Sequence, residues 1–290
     1  MRTFCTFCNP VRVSVTLRNP VQRITPRRWT SSTVAHLAKV NPGPVLSQTN
    51  RAEITLRRFW KTVNIHSEPN GHYLIALDHR HLKTPAGTKL VIPKERRLLA
   101  VLIANEWENQ DEVLKQHALP VTSLASRAID GLRDDKIRVE VIEALMKYLE
   151  TDTVLFPQDE PPALVRMQQE HWQPLFDWLR NELGVHVQAT EGLIPARQSD
   201  ETLARLRRIV EEMDTWELAA FERAAYASKS FIIALALCKG RLTADKAADA
   251  SHVEVRSQIE RWGEVEDTHD VDYQDIRRAL GSAACMVSRS

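Results

Sequence analysis

The sequence has few glycines, and none of them belongs to a phosphate-binding motif. Nine glycines occur in 290 residues. They provide neither GxGxxG nor GxxxxGK, the loops that hold dinucleotides and nucleoside triphosphates. The metalloprotease motif HExxH and the hydrolase motif GxSxG are missing as well. The sequence therefore carries no standard signature of a nucleotide-dependent enzyme or of these hydrolases.

Cysteines and long apolar runs are also scarce. Of the four cysteines, Cys5 and Cys8 form one CxxC without the second pair that a zinc site needs, and Cys238 and Cys285 stand alone. The most apolar segment, Phe231 to Cys238, spans eight residues, whereas a membrane helix needs ~20. We expect neither a disulfide framework nor stable membrane insertion.

Acidic residues are absent from the first 50 positions. This segment is rich in hydroxyl side chains and contains seven basic residues, namely Arg2, Arg12, Arg18, Arg23, Arg27, Arg28 and Lys39. Such a composition is typical of an organellar transit peptide. Residues 1–50 are therefore predicted to be a transit peptide and disordered leader, cleaved between Arg28 and Gln48. The alternative is a basic arm that binds nucleic acid.

The rest of the chain is mildly acidic. Seven of the 39 basic residues lie in the leader, but none of the 38 acidic ones does, so the remaining chain carries a net charge of about −6. No RNA-binding signature is present. We expect no nucleic-acid partner.

Residues 51–120 are predicted to form a small β-rich domain with one helix. Residues 59–65 and 73–77 alternate apolar and polar side chains on either side of a Pro-Asn-Gly turn, which favours a hairpin. A short strand is expected at 89–92. In the following helix, Leu99, Ile103 and Trp107 form one apolar stripe, while Glu106 and Glu108 are expected at the surface.

Residues 121–290 are predicted to form a larger, mainly α-helical domain, which makes the fold class α+β. Thr122 and Asp134 or Asp135 are expected to start helices, and Asp214 with Glu217 has the spacing of a capping box. The expected helices span about 122–130, 134–149, 163–171, 174–183, 199–212, 214–239, 243–262 and 270–280. The helix 214–239 contains the apolar residues 231–238 and is expected to be the buried centre of this domain.

An acidic stretch near the end of the chain is the candidate partner-binding surface. Residues 254–275 contain eight acids and two arginines together with Ile259, Trp262 and Val265. Acids beside a large aromatic side chain suit a surface that binds a protein. The alternative is a solvated helix end with Trp262 packed into the core.

The same stretch also permits a metal-dependent enzyme. Glu266 and His269 form an ExxH, and Asp270 follows, which places a carboxylate and an imidazole on one helix face. A two-metal helical bundle needs a second ExxH and two further glutamates, and the sequence has no second copy. The alternative role for His269 is that of a polar residue at the start of a helix.

Several separated motifs carry a resemblance to a known family. They are Arg58-Phe59-Trp60, Leu77 to Pro85, Asn105-Glu106-Trp107, Tyr148 to Thr153, Gln258 to Glu266, and His269-Asp270. In this order they resemble the mitochondrial ATP synthase assembly factor 2 family, which chaperones the alpha subunit of the catalytic head. The likeness covers residues 57–285.

The resemblance implies a chaperone of the mitochondrial matrix without enzymatic activity or cofactor. It would act as a monomer, bind the newly imported alpha subunit and mask its subunit interface until handover. The family's sensitive acidic helix corresponds to Glu254 and Glu260, although Val255 and Arg256 stand where other members have further acids. The expected partner-binding residues are Glu254, Glu260, Trp262, Glu264, Glu266, His269 and Asp270.

Overall fold

The computed structural model describes residues 57–190, 192 and 194–289. A small antiparallel sheet is followed by helices, so the predicted α+β class is confirmed. The leader predicted for residues 1–50 lies outside the described residues. The division into two domains at residue 120 stays a prediction. Buried side chains from Trp60 to Met286 belong to one hydrophobic cluster.

The sheet is organised around its second strand. Its strands are β1 (Val63–Ser67), β2 (Tyr73–Leu77), β3 (Arg80–His81) and β4 (Val91–Ile92). β2 pairs antiparallel with each of the other three. The turn between β1 and β2 contains Gly71, whose φ of 83° suits a residue without a side chain. The predicted hairpin is confirmed.

Eleven α-helices lie within the described residues. They are α1 (Arg97–Glu108), α2 (Pro120–Ser126), α3 (Asp135–Tyr148), α4 (Pro162–His171), α5 (Gln173–Leu183), α6 (Asp200–Glu211), α7 (Thr215–Ser228), α8 (Phe231–Cys238), α9 (Ala244–Ser251), α10 (Val253–Trp262) and α11 (Glu266–Val287). None of these helices is long and apolar enough to cross a membrane. Short 3₁₀ or π turns join several of them.

Helix α1 covers the sheet with the stripe that its sequence predicts. Leu99 and Ile103 are fully buried, and Trp107 is half-buried against the same cluster. The indole Nε1 of Trp107 donates to Thr122 Oγ1 at 3.2 Å. Trp107 therefore anchors α1 to the start of α2.

The prediction for Glu106 and for the start of α2 is wrong. Helix α2 begins at Pro120, and Thr122 does not cap it. Instead, the Glu106 carboxylate accepts hydrogen bonds from the backbone N–H groups of Val121 at 2.7 Å and Thr122 at 2.8 Å. Partial burial raises the pKa of Glu106, although these hydrogen bonds oppose the shift. Glu108 is exposed, as predicted.

The single helix predicted over residues 214–239 is interrupted. Lys229 has a φ of 55° and ends α7, and Ser230 starts α8 by accepting from Ile233 N at 3.0 Å. The Lys229 carbonyl accepts from Thr153 N and Oγ1 at 3.3 and 3.0 Å. Thr153, which is distant in sequence, thus donates to a carbonyl that would accept from within the helix if the helix were continuous.

Some other helix boundaries agree with the predictions, whereas two of the predicted helices differ in extent. Asp214 and Glu217 form the predicted capping box, and Gly184 ends α5 in the left-handed conformation. The helix predicted over 243–262 divides at His252 into α9 and α10. The last helix, α11, is longer at both ends than the predicted 270–280.

Asp152 holds the start of the buried helix α8 in place. Its carboxylate accepts from Val154 N at 3.0 Å and from Ile232 N, in the first turn of α8, at 2.8 Å. The side chain is fully buried. Burial raises the pKa of Asp152 to about 6, with the hydrogen bonds opposing the shift.

Replacing Asp152 with asparagine is expected to remove a pH dependence of stability. Because the folded-state pKa lies above the unfolded value of ~3.9, the ionised carboxylate destabilises the fold as pH rises. The wild-type protein should therefore lose about 2 kcal/mol relative to Asp152→Asn between pH 4 and 7. Urea unfolding across this range measures it. Parallel curves for the two proteins would contradict the prediction.

Candidate functional site

The predicted partner-binding residues lie on α10, on α11 and on the short loop between them. Gly263, with a φ of 88°, ends α10, and α11 begins at Glu266. Every side chain from Glu260 to Thr268 is exposed. We call the exposed side chains between Glu254 and Asp275 the acidic surface. Two consecutive helix ends therefore present one continuous charged region.

Trp262 belongs to this surface and not to the core. Its side chain is 70% exposed, and the Arg261 guanidinium lies 5.0 Å from its ring centre. The alternative that Trp262 packs into the core is therefore wrong. Val265 and Val271 are 61% and 69% exposed nearby. Three large apolar groups thus face solvent among the acids, which is a feature of protein-binding surfaces.

Most of the carboxylates on the acidic surface keep their charge uncompensated. Glu260 pairs with Arg166 of α4 at 2.7 Å, and Arg256 is engaged by Asp249 at 3.4 Å. Five acids have no ion-pair partner among the residues that the structure describes, namely Glu254, Glu264, Glu266, Asp267 and Asp270. The surface therefore presents a net negative field to an approaching molecule.

Two clefts bring the predicted residues together in separate groups. Glu254 and Trp262 line a cleft of about 330 Å³ between α4 and α10, with Leu164 on its far side. Glu264, His269 and Asp270 line a cleft of about 150 Å³ between α10 and α11. Glu266 lines neither cleft and projects from the first turn of α11. Glu260 is held at the edge by its ion pair with Arg166.

The geometry at His269 agrees with a structural role. Its Nδ1 accepts a hydrogen bond from Val265 N at 3.0 Å and so caps the first turn of α11. Nowhere in 57–190, 192 and 194–289 do three His, Cys, Asp or Glu side chains come together as a possible metal site. The arrangement therefore does not support the metal site proposed around Glu266, His269 and Asp270.

The exposed first half of α11 is held against the neighbouring helices by contacts that sequence patterns did not identify. His252 Nε2 lies 3.1 Å from Asp272 Oδ2. Arg277 pairs with Asp245 at 2.7 Å and lies 4.0 Å above the Tyr273 ring. Tyr273 and Val271 occur inside the acidic stretch, so their apolar character was a usable signal. Arg166 gave none, because it lies 94 residues before its partner Glu260.

Comparison with known proteins identifies the family of this chain. Residues 57–180 match the family described as ATP12 chaperone protein. The chain is 40% identical over 240 residues to mitochondrial protein atp12 of Schizosaccharomyces pombe, covering 80% of this chain and 82% of that protein. The chain belongs to the ATP12 chaperone family. The resemblance seen in the sequence motifs is thereby confirmed, and this ATP12-family protein is a chaperone and not an enzyme.

Two further relatives support this membership. Mitochondrial ATP12 of Saccharomyces cerevisiae is 31% identical over 282 residues, covering 82% of this chain and 86% of that protein. The crystal structure of Atp12 from Paracoccus denitrificans has a TM-score of 0.71 and 34% identity, covering 81% of this chain and 98% of that one. The similarity in fold therefore extends over about four fifths of this chain.

Two tryptophans allow the exposure of Trp262 to be tested. Because its side chain is exposed, Trp262→Ala should change the free energy of unfolding by less than about 0.5 kcal/mol. Trp172 is 2% exposed and donates to Ala250 O at 2.8 Å, so Trp172→Ala should cost about 3–5 kcal/mol. Urea unfolding compares the two variants. A large loss for Trp262→Ala would place this side chain in the core.

Proposed function

We propose that this ATP12-family chaperone binds the unassembled alpha subunit of the catalytic head of the mitochondrial ATP synthase. It covers the subunit interface of its client until assembly displaces it, and it acts in the mitochondrial matrix. The observation that carries the proposal is the acidic surface. There the exposed Trp262, Val265 and Val271 lie among five carboxylates that have no ion-pair partner within the described residues. Both yeast relatives are named as mitochondrial proteins.

The chemistry of the surface fits such a client. We expect an unassembled alpha subunit to expose an interface that is partly apolar and rich in cationic groups. Apolar side chains at the centre of a contact contribute most of the binding free energy, whereas charges around them steer the encounter. Because the carboxylates are exposed, each contributes little to the lifetime of the complex. The client can therefore be captured rapidly and still be released to its neighbour.

Among the predicted residues, the structure favours some over others. Glu254 lines a cleft with Trp262, and Glu264 lines the second cleft. Glu260 must first leave Arg166 before it can bind a partner, so its contribution should be smaller. We expect Glu254 and Glu264 to contribute most of the electrostatic steering, with Glu266 and Asp270 supporting them.

The same charges bear on self-association. Two copies meeting through this surface would bring like charges together, which disfavours a symmetric dimer there. We therefore propose that the chaperone acts as a monomer that binds one alpha subunit. No cofactor is required for this role.

Charge reversal tests the steering role of the acidic surface. The double variant Glu254→Lys, Glu264→Lys should associate with purified unassembled alpha subunit about tenfold more slowly at low salt, and with a weaker salt dependence. Stopped-flow mixing at low and high salt measures the rate. Glu140→Lys, Glu182→Lys makes the same change in net charge at exposed positions on α3 and α5. Equal association rates for the two double variants would contradict the steering role of the acidic surface.

Affinity capture tests the identity of the client. The tagged protein without residues 1–50 is incubated with a mitochondrial matrix extract, and bound proteins are eluted at moderate salt. We expect recovery of the alpha subunit without its beta neighbour, since the chaperone covers the interface that the neighbour uses. Recovery of assembled alpha and beta subunits together, or of neither, would overturn the proposal.

A further inference from the structure

A further groove lies along α4. It has a volume of about 380 Å³ and runs between the loop 157–159, helices α4 and α5, and the segment 187–189. Val165, Trp172, Phe176 and Val187 supply apolar groups to its lining. Four glutamine side chains, those of Gln158, Gln168, Gln169 and Gln173, line it as well. Asp159 and Arg180 contribute one charge of each sign. The groove therefore combines apolar side chains with hydrogen-bonding groups that are mostly uncharged.

One wall of the groove resembles the edge of a β-sheet, although no strand within the described residues pairs with 185–190. The Gln198 side chain takes the place of that strand. Its Oε1 accepts from Gln188 N at 2.9 Å, and its Nε2 donates to Gln188 O at 2.8 Å. On the same side, His186 O accepts from Thr202 Oγ1 at 2.8 Å. An amide side chain thus reproduces the paired hydrogen bonds of two opposed strand residues.

The alternate residues of this segment are unpaired. Neither the N–H nor the C=O of Val187 or Ala189 has a hydrogen-bond partner in the described part of the chain. In a strand, successive residues direct these groups to opposite sides. Because the groups of His186 and Gln188 face α6 and its N-terminal segment, those of Val187 and Ala189 face away from it. Both residues line the groove.

A buried amide on the opposite wall also lacks a partner. Gln168 is 7% exposed, and its Oε1 accepts from Gln158 N at 3.1 Å. Its Nε2 has no hydrogen-bond partner among the described residues. An unpaired buried donor is costly, and native structures rarely leave one without a reason. A carbonyl oxygen placed in the groove that Gln168 lines would supply the missing acceptor.

Helix α4 borders both the groove and the acidic surface. Val165, Gln168 and Gln169 line the groove, whereas the intervening Arg166 pairs with Glu260. Pro161, just after the loop that borders the groove, lines the cleft that holds Glu254 and Trp262. A client seated on the acidic surface can therefore extend a segment across α4 into the groove.

We infer that this groove binds an extended polypeptide segment of the client by adding a strand to the edge formed by Val187 and Ala189. The backbone of the segment pairs with the N–H and C=O groups of these two residues, and one of its carbonyl oxygens accepts from Gln168 Nε2. Alternate side chains of the segment pack on Val165 and Phe176. The inference rests on the proposed function for the identity of the client, the unassembled alpha subunit.

Hydrogen exchange of the wild-type chaperone tests the pairing directly. Amides without hydrogen bonds exchange rapidly, so binding of purified unassembled alpha subunit should slow the exchange of residues 187 and 189 by about tenfold or more. The amide of Gln188 is already bonded and serves as an internal control. Unchanged exchange at 187 and 189 in a complex that forms would overturn the inference alone. Failure of the wild-type protein to bind the subunit would overturn the proposed function with it.

A proline variant provides a second measurement. Ala189→Pro removes an exposed N–H that makes no internal hydrogen bond, so the fold keeps its own contacts. Its affinity for the alpha subunit should fall about 3- to 10-fold, as expected for loss of one intermolecular hydrogen bond. Ala189→Ser retains the N–H and should bind like the wild-type protein. Equal affinities of the proline and serine variants, with unchanged melting curves, would overturn the inference.

Discussion

The fold depends on the burial of one short helix that is apolar on every side. Each residue of α8 from Phe231 to Leu237 is buried, so other elements surround the helix. The unpaired backbone N–H groups of its first turn therefore need hydrogen-bond partners within the protein. The carboxylate of Asp152 and the hydroxyl of Ser230 accept hydrogen bonds from its first turn. Both groups are themselves removed from water, which ties the region before α4 to the centre of the helical part.

Because the core forms around α8, the first half of α11 is not needed for packing and is available for binding. The second half of α11 contributes buried residues such as Leu280 and Met286, whereas nearly all of its first ten residues are exposed. The fold therefore does not need Trp262, Val265 or Val271 for its core. Acids beside these side chains keep the surface hydrated and disfavour self-association. A chaperone needs such a surface, since it must hold an apolar client interface without aggregating itself.

The acidic surface could be predicted from the sequence because its signals are local. The acids of 254–275 are adjacent along the chain, and the ends of α10 and α11 bring them together without a distant partner. Prediction from the sequence failed where the deciding contact joins residues that are distant along the chain. Glu106 looked like a surface acid, yet it caps α2 some 15 residues away. Arg166 engages Glu260 from a different helix, which no periodicity could reveal.

The sequence by itself determined the hairpin around Gly71, the capping box of Asp214 and Glu217, the apolar character of α8 and the charge of the acidic surface. Each of these depends on side chains within a few residues of one another. The tertiary structure alone decided the break at Lys229, the capping by Glu106 and the use of Gln198 in place of a neighbouring strand. In these cases a backbone hydrogen bond has a side-chain or main-chain partner distant in sequence, and only the packed chain brings the two groups together.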